Sequence, residues 1–345
     1  MQIRKAYSFD DVLIVPKYNT ISSRRDVNFR TKVTKRFSID IPVLIANMDT
    51  VCEAEMCIAV GRLGGLGVLH RFLTIEEQAA EVKKVKAEGL ICAAALGIKD
   101  YEERLQSLSD AGVDIIVLDI AHGHSEMTKV CLEYIKANYE QIDVLVGNIA
   151  TRDAAVDFLN WGADGLKVGI GPGSMCTTRI MTGCGVPQLS AINDVYEAVG
   201  DRIPICGDGG IKQPGDIVKA IGAGADNVMV GSIVSGTDEA PGEVITVKGE
   251  KYKTYRGMAS FDAAISKLKK DNKKTREVIS VEGEKTLVPY KGAVEPIIKK
   301  YLGGLASGMT YNGAREISEL KGNVEFVEMS SSGYQESKAH GVRTV

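Results

Sequence analysis

Eight short apolar runs, most followed by a segment of helical period, constrain this chain more than any other feature. They are Ile41–Ala46, Gly65–His70, Ile91–Leu96, Asp114–Asp119, Asp143–Gly147, Leu166–Ile170, Ile203–Cys206 and Asn227–Gly231, and most begin about 22 to 30 residues apart. That is the pitch of a βα unit. The runs are continuously apolar, as strands buried on both faces of a parallel sheet are. Eight units in 345 residues predict a closed (β/α)8 TIM barrel, one catalytic domain over residues 1–345. An open doubly wound sheet is the competing architecture. It is expected to carry a glycine-rich nucleotide fingerprint after its first strand, and Asn47-Met-Asp-Thr-Val-Cys52 is not one.

Two connections are too long for simple loops. After the sixth strand comes Gly169-Ile-Gly-Pro-Gly-Ser-Met-Cys-Thr-Thr-Arg179. Its glycines and proline set a tight path in which backbone N–H groups can crowd a ligand. Cys176, displayed there between hydroxyl residues, reads as a nucleophile; a buried structural thiol is the plainer alternative. After the eighth strand, residues 235–292 form an insertion. Val244–Lys253 alternates like a hairpin about Lys248-Gly249-Glu250, and the polar stretch Lys267–Glu284 suits a mobile flap or a disordered insertion.

Barrel chemistry sits where strands end. Those ends supply Asn47-Met48-Asp49, His70-Arg71, Asp119, Gly147-Asn148, Asp208-Gly209-Gly210 and Gly231-Ser232. The last two groups follow strands seven and eight, where backbone amides of Gly209, Gly210, Gly231 and Ser232 are placed to hold a phosphate. Asp208 is then suited to ribose hydroxyls. Asp119-Ile-Ala-His-Gly-His124 lacks a partner spaced for zinc, so Asp119 reads as a polar ligand contact. A thiolate such as Cys176 can add to an electrophilic ring carbon, with Thr178 and Glu282 relaying a proton to the leaving group.

The formal charge of −3 argues against nucleic-acid binding. Without an 18-residue apolar run or an apolar leader after Met1, no membrane or secretory segment is expected. Seven cysteines without C-x-x-C spacing point to a reducing cytoplasm.

The Cys176 loop resembles the active-site loop of the IMP dehydrogenase/GMP reductase family. So do Phe9-Asp-Asp-Val-Leu13, Asn47-Met-Asp-Thr-Val51, Asp208-Gly-Gly210, Tyr255-Arg-Gly-Met258, Val288-Pro-Tyr-Lys-Gly292 and Gly303-Gly-Leu-Ala-Ser-Gly-Met309. The resemblance spans essentially the whole chain. It implies a barrel, usually a homotetramer, acting on a purine nucleotide (GMP or IMP) through a covalent cysteine adduct. It assigns nucleotide contacts to Met48, Ser174, Asp208, Gly209, Gly210, Gly231, Ser232, Tyr255, Gly257 and Met258. Asp119, Ile120, Ala121, Asn148, Val168 and Gly169 fall to the nicotinamide of NADPH. Arg71, with Ser23 and Arg24 of a neighbouring subunit, falls to the cofactor's anionic end. Backbone carbonyls of Gly171, Gly173 and Cys176 are implied to hold a monovalent cation, K+.

Within the family the signs favour a reductase. Phe72–Leu90 leaves no room for the regulatory CBS modules usual in dehydrogenases. No Arg-Tyr pair, which in dehydrogenases activates the hydrolytic water, occurs between Gly257 and Val288. Ile45-Ala-Asn-Met48, His70-Arg-Phe72 and Ile120 match the reductase form. The long flap and Gly333-Tyr-Gln-Glu-Ser337 resemble dehydrogenases instead. The expected activity is reduction of GMP to IMP and ammonia by NADPH; the alternatives are a dehydrogenase without CBS modules, oxidising IMP with NAD, and a silent nucleotide-binding barrel.

Overall fold

A strand buried on both faces still sends successive side chains to opposite sides, and that alternation builds two separate cores here. The computed structural model describes residues 3–258 and 283–338. Eight parallel strands close a ring: β1 Val43–Ile45, β2 Leu66–Leu69, β3 Ala93–Leu96, β4 Ile115–Asp119, β5 Asp143–Ile149, β6 Gly165–Val168, β7 Ile205–Asp208 and β8 Asn227–Val230. β8 returns to β1 through Val228↔Val43 and Val230↔Ile45. Each strand end falls within about two residues of the sequence-based run, so the TIM barrel expected from the strand rhythm is the fold.

Helices α1 Ala54–Arg62, α2 Ile75–Ala87, α3 Glu102–Asp110, α4 Glu126–Asn138, α5 Arg152–Asn160, α6 Gln188–Val199, α7 Pro214–Gly222 and α8 Val294–Tyr311 alternate with the strands. Their starts are locally encoded: Thr74, Ser125 and Thr151 each accept an N–H from the first turn of α2, α4 and α5. Outward residues such as Ile45, Leu118, Val146 and Val168 pack under these helices. Inward residues such as Leu44, Val68, Ala95, Val117, Leu145 and Met229 fill the barrel, which Val33 and Ile39 of a short hairpin plug at the end where strands begin.

That end carries a repeated bond. Gly-Val-Asp114, Gly-Ala-Asp164 and Gly-Ala-Asp226 stand just before β4, β6 and β8, and each aspartate accepts a backbone N–H beside the previous strand, from Cys92, Val144 and Ile205 at 2.8, 2.9 and 2.8 Å. Lys86, Lys136 and Lys321 neutralise the three in turn. Asp143 is fully buried and accepts from Thr34 Oγ1 (2.6 Å) and from the Arg36 backbone N–H (3.1 Å) and Nε (2.5 Å). Asp143→Ala strands those donors, so denaturant unfolding should show a loss of about 3 kcal/mol. A loss below about 1 kcal/mol would mean the apolar plug alone secures the hairpin.

The insertion after β8 begins with the expected hairpin, Ile245–Val247 against Glu250–Arg256. Its turn is the two residues Lys248-Gly249, with φ of 50° and 85°. Both lie in the left-handed region that a type I′ turn needs, so the hairpin closes before Glu250. Lys285–Pro289 adds a third antiparallel strand beside Glu250–Arg256, which the polar composition of the segment gave no reason to expect. Outside the barrel, Val12–Ile14 pairs antiparallel with Phe326–Glu328. Among the described residues no helix is long and apolar enough to cross a membrane.

Candidate active site

The loop after β6 is shaped by glycine where nothing else fits. Gly169 has φ +151°, and a Cβ there would lie 2.1 Å from the Asp208 carbonyl oxygen. At Gly171, φ +81°, a Cβ would lie 2.5 Å from Arg179 Cγ. Arg179 stitches the loop from within, donating from Nε to Ile170 O (3.0 Å) and from Nη2 to Val186 O (2.6 Å). The loop's two ends are thereby clamped, and Cys176 stands exposed on it.

Cys176 Sγ donates to Thr178 Oγ1 at 3.1 Å, and the Cys176 N–H donates to Gly173 O at 3.1 Å. Five of the seven cysteines are buried, as inert thiols are; only Cys176 and Cys184 are exposed. The returning end of the insertion lies directly on the loop. Gly283 forms an antiparallel bridge with Cys176, the Glu284 N–H donates to Met175 O (3.1 Å), and the Gly257 N–H donates to Glu284 O (2.9 Å). Glu282, the expected proton-relay carboxylate, lies outside the described residues.

A cavity of about 340 Å³ opens beside the thiol. It brings together most of the residues expected from sequence: Met48, Arg71, Asp119, Ile120, Ala121, Asn148, Gly169, Gly171, Gly173, Ser174, Cys176, Thr178, Asp208, Gly209, Tyr255, Gly257 and Met258. Gly210, Gly231 and Ser232 stand off its lining. Gly231 backs the wall, since a Cβ there would meet Met48 Sδ at 3.2 Å and Tyr255 Oη at 3.5 Å. Val168 is buried among the outward core residues, because its neighbour Lys167 takes the inward slot. Ser23 and Arg24 lie away from the cavity; Ser23 Oγ caps a short helical turn by accepting the Arg25 N–H.

The cavity lining carries two polar clusters. At one, Ser174 Oγ and Tyr255 Oη share a 3.1 Å hydrogen bond beside Gly209. Burial raises the Tyr255 phenol further, so it remains a hydroxyl at neutral pH. At the other, Asp119 faces Arg71 at 3.4 Å. Burial pushes the Asp119 carboxyl up, but Lys167 and Arg71 outweigh it and hold the group below the ordinary aspartate value. Asp208 Oδ2 accepts from Lys167 Nζ (2.9 Å) and Asn148 Nδ2 (2.8 Å), while its Oδ1 has no hydrogen-bond partner among the described residues. The Asn148 amide also donates to Gly169 O at 2.7 Å. Its two N–H groups are thus spent bracing the site, and its carbonyl oxygen accepts from Lys167.

Lys167 lines the cavity without having been singled out as a site residue, and Asn47, read from the first strand end, lines it too. The signal for Lys167 was present. In Gly165-Leu-Lys-Val168 the period of two points the lysine to the side opposite Leu166 and Val168, the inside of the barrel. Asp49, by contrast, binds Arg256 of the flap hairpin, with Nε–Oδ2 at 3.0 Å. His70 is structural: its Nδ1 accepts the Phe72 N–H and its Nε2 donates to Glu53 Oε1. His124 bonds Asp157 and packs on Trp161. No group of three or more His, Cys, Asp or Glu among the described residues could hold a metal ion.

Comparison with known proteins gives this geometry its relatives. A family model described as the IMP dehydrogenase / GMP reductase domain matches residues 6–340. An inosine-5′-monophosphate dehydrogenase of Borreliella burgdorferi is 39% identical, covering 99% of this chain and 98% of its own. A GMP reductase of Leishmania major is 33% identical, covering 97% and 96%. The crystal structure of a GMP reductase from Trypanosoma brucei in complex with guanosine 5′-monophosphate superposes with a TM-score of 0.94 at 31% identity, over 99% of each chain.

Proposed function

Because the chain belongs to the IMP dehydrogenase / GMP reductase family, an oxidoreductase family, we propose that it is a GMP reductase, converting GMP, NADPH and protons to IMP, ammonia and NADP+. The carrying observation is chemical. The segment between Gly257 and Val288 holds no Arg-Tyr pair to activate water, and Arg276 is followed by Glu277. A covalent adduct on Cys176 then has ammonia loss and hydride addition as its course, not hydrolysis.

In this reading Ser174, Tyr255 and the backbone at Gly209, Gly210, Gly231 and Ser232 hold the phosphate, and Asp208 Oδ1 accepts from the ribose. Met48, Gly257 and Met258 enclose the base. The Cys176 thiolate adds to purine C2. The amino group departs as ammonia with a proton relayed through Thr178 and Glu282, whose chain neighbour Gly283 is bridged to Cys176. The nicotinamide, when bound, supplies the hydride that reduces C2, and breakage of the C–S bond releases IMP and the thiolate. Asp119, Ile120, Ala121, Asn148 and Gly169 shape the nicotinamide side, while Val168 packs outward under the helices. Arg71, with Ser23 and Arg24 of a neighbouring subunit, takes the cofactor's anionic end. A K+ ion is assigned to the carbonyls of Gly171, Gly173 and Cys176, neutral oxygens of the kind such an ion takes. A cytoplasmic homotetramer completes the proposal.

One observation favours the dehydrogenase: 39% identity to the Borreliella protein against 33% to the Leishmania reductase. Compact length does not separate the two. That dehydrogenase aligns over 399 positions and that reductase over 475, so the missing insertion between β2 and β3 loses its weight. Purified protein given GMP with NADPH, and separately IMP with NAD+, should oxidise nicotinamide in the first mixture. Turnover confined to the second would establish the dehydrogenase. Binding without turnover or adduct in either would leave a silent barrel.

A further inference from the structure

Lys167 lines the cavity, yet its side chain is only 2% exposed, and it belongs to neither the nucleophile nor the proton relay. Its stem rises from the inward slot of β6 because the opposite residue on β5 is Gly147. A Cβ at that position would fall 2.6 Å from Lys167 Cβ. From there Nζ reaches Asp208 Oδ2 of β7 at 2.9 Å, Asp119 Oδ1 of β4 at 3.5 Å, and Asn148 Oδ1 of β5. Other titratable neighbours are the Cys206 thiol below it on β7 and, beyond Asp119, Arg71. Burial alone would lower the ammonium, but Asp208 and Asp119 outweigh it and keep the group above the ordinary lysine value. It is a permanent cation set between two carboxylates that both line the cavity.

We propose that Lys167 is a positioning residue that holds Asp208 toward the nucleotide and Asp119 toward the nicotinamide at once, coupling the two half-sites through one ammonium. The proposal rests on the reading of the cavity as a nucleotide-and-nicotinamide site. Its physical basis is charge balance in a poorly hydrated space. With Lys167 neutral, two carboxylates share one pocket with Arg71 the only cation on it among the described residues, and their mutual repulsion disfavours keeping both ionised. A protonated carboxyl no longer serves as a double acceptor for ribose hydroxyls.

The test compares Lys167→Gln and Lys167→Arg with the wild type, reading calorimetric affinities for GMP and for NADPH from about pH 6 to 9. In Lys167→Gln both affinities should fall at least about tenfold near neutral pH. Both should recover in part as pH rises and the carboxylates ionise, and Lys167→Arg should restore the wild-type profile. A fall in one ligand only, or a profile parallel to wild type, overturns the proposal in favour of a merely structural lysine. Should Lys167→Gln not fold, Asp208→Asn carries the test. Although Asp208 faces the nucleotide, its loss should loosen NADPH by releasing Lys167, and an unchanged NADPH affinity overturns the coupling. Wild-type protein that binds neither GMP nor IMP would remove the functional reading and the proposal together. Wild-type binding with an unaltered Lys167→Gln profile removes the proposal alone.

Discussion

Replacement of Cys176 by alanine is expected to lower turnover by about four orders of magnitude or more, with nucleotide affinity changed no more than about threefold. The asymmetry follows from position. The thiol is exposed on a loop clamped by Arg179 and by the Gly283 bridge, so the change removes a reacting atom and leaves the frame. The Ser174–Tyr255 pair and Gly209 do not depend on it. Mass spectrometry after mixing with nucleotide should find an adduct on wild type and none on Cys176→Ala. Residual turnover above about 1% of wild type would show that the adduct is not on the reaction path.

Gly169→Ala should damage activity less than loss of the thiol does, yet be far worse for the fold. The new methyl would lie 2.1 Å from the Asp208 carbonyl oxygen, an acceptor already used by Gln188 Nε2 at 3.1 Å. Either the loop after β6 or the end of β7 must move, and both carry site residues. A stability loss of about 2–4 kcal/mol and a drop in kcat/KM of more than about 100-fold are expected. Gly215→Ala is the control: its Cβ meets nothing within 4 Å and its backbone is in no left-handed conformation. If the two variants melt within about 2 °C of each other, the close approach at Gly169 is not limiting.

The barrel was legible because its evidence is local. Each apolar run is a short pattern, most are followed by a helical period, and eight of them admit one closed arrangement. Residues at strand ends were legible for the same reason, since topology alone sends Asp119, Asn148 and Asp208 to one rim. Lys167 escaped because a single lysine in an apolar strand looks like a tolerated exception until the inward slot is recognised. The three-stranded flap sheet escaped because Lys285–Pro289 is mostly exposed and has no apolar face to announce it. Ser23 and Arg24 could be read only through the family, as nothing within one chain draws them to the cavity.

The repeated aspartates and the buried lysine brace different joints of the same ring. Asp114, Asp164 and Asp226 tie β3 to β4, β5 to β6 and β7 to β8 at one end, which divides most of the barrel into two-strand staves. At the opposite rim, Lys167 reaches from β6 to β4 and β7, and Asn148 from β5 to Asp208 of β7. Those bonds cross two of the seams that the aspartates leave open, β4–β5 and β6–β7. The polar cluster at the reactive rim is therefore also a strap from β4 to β7, and substitutions there will trade chemistry against the joining of those staves.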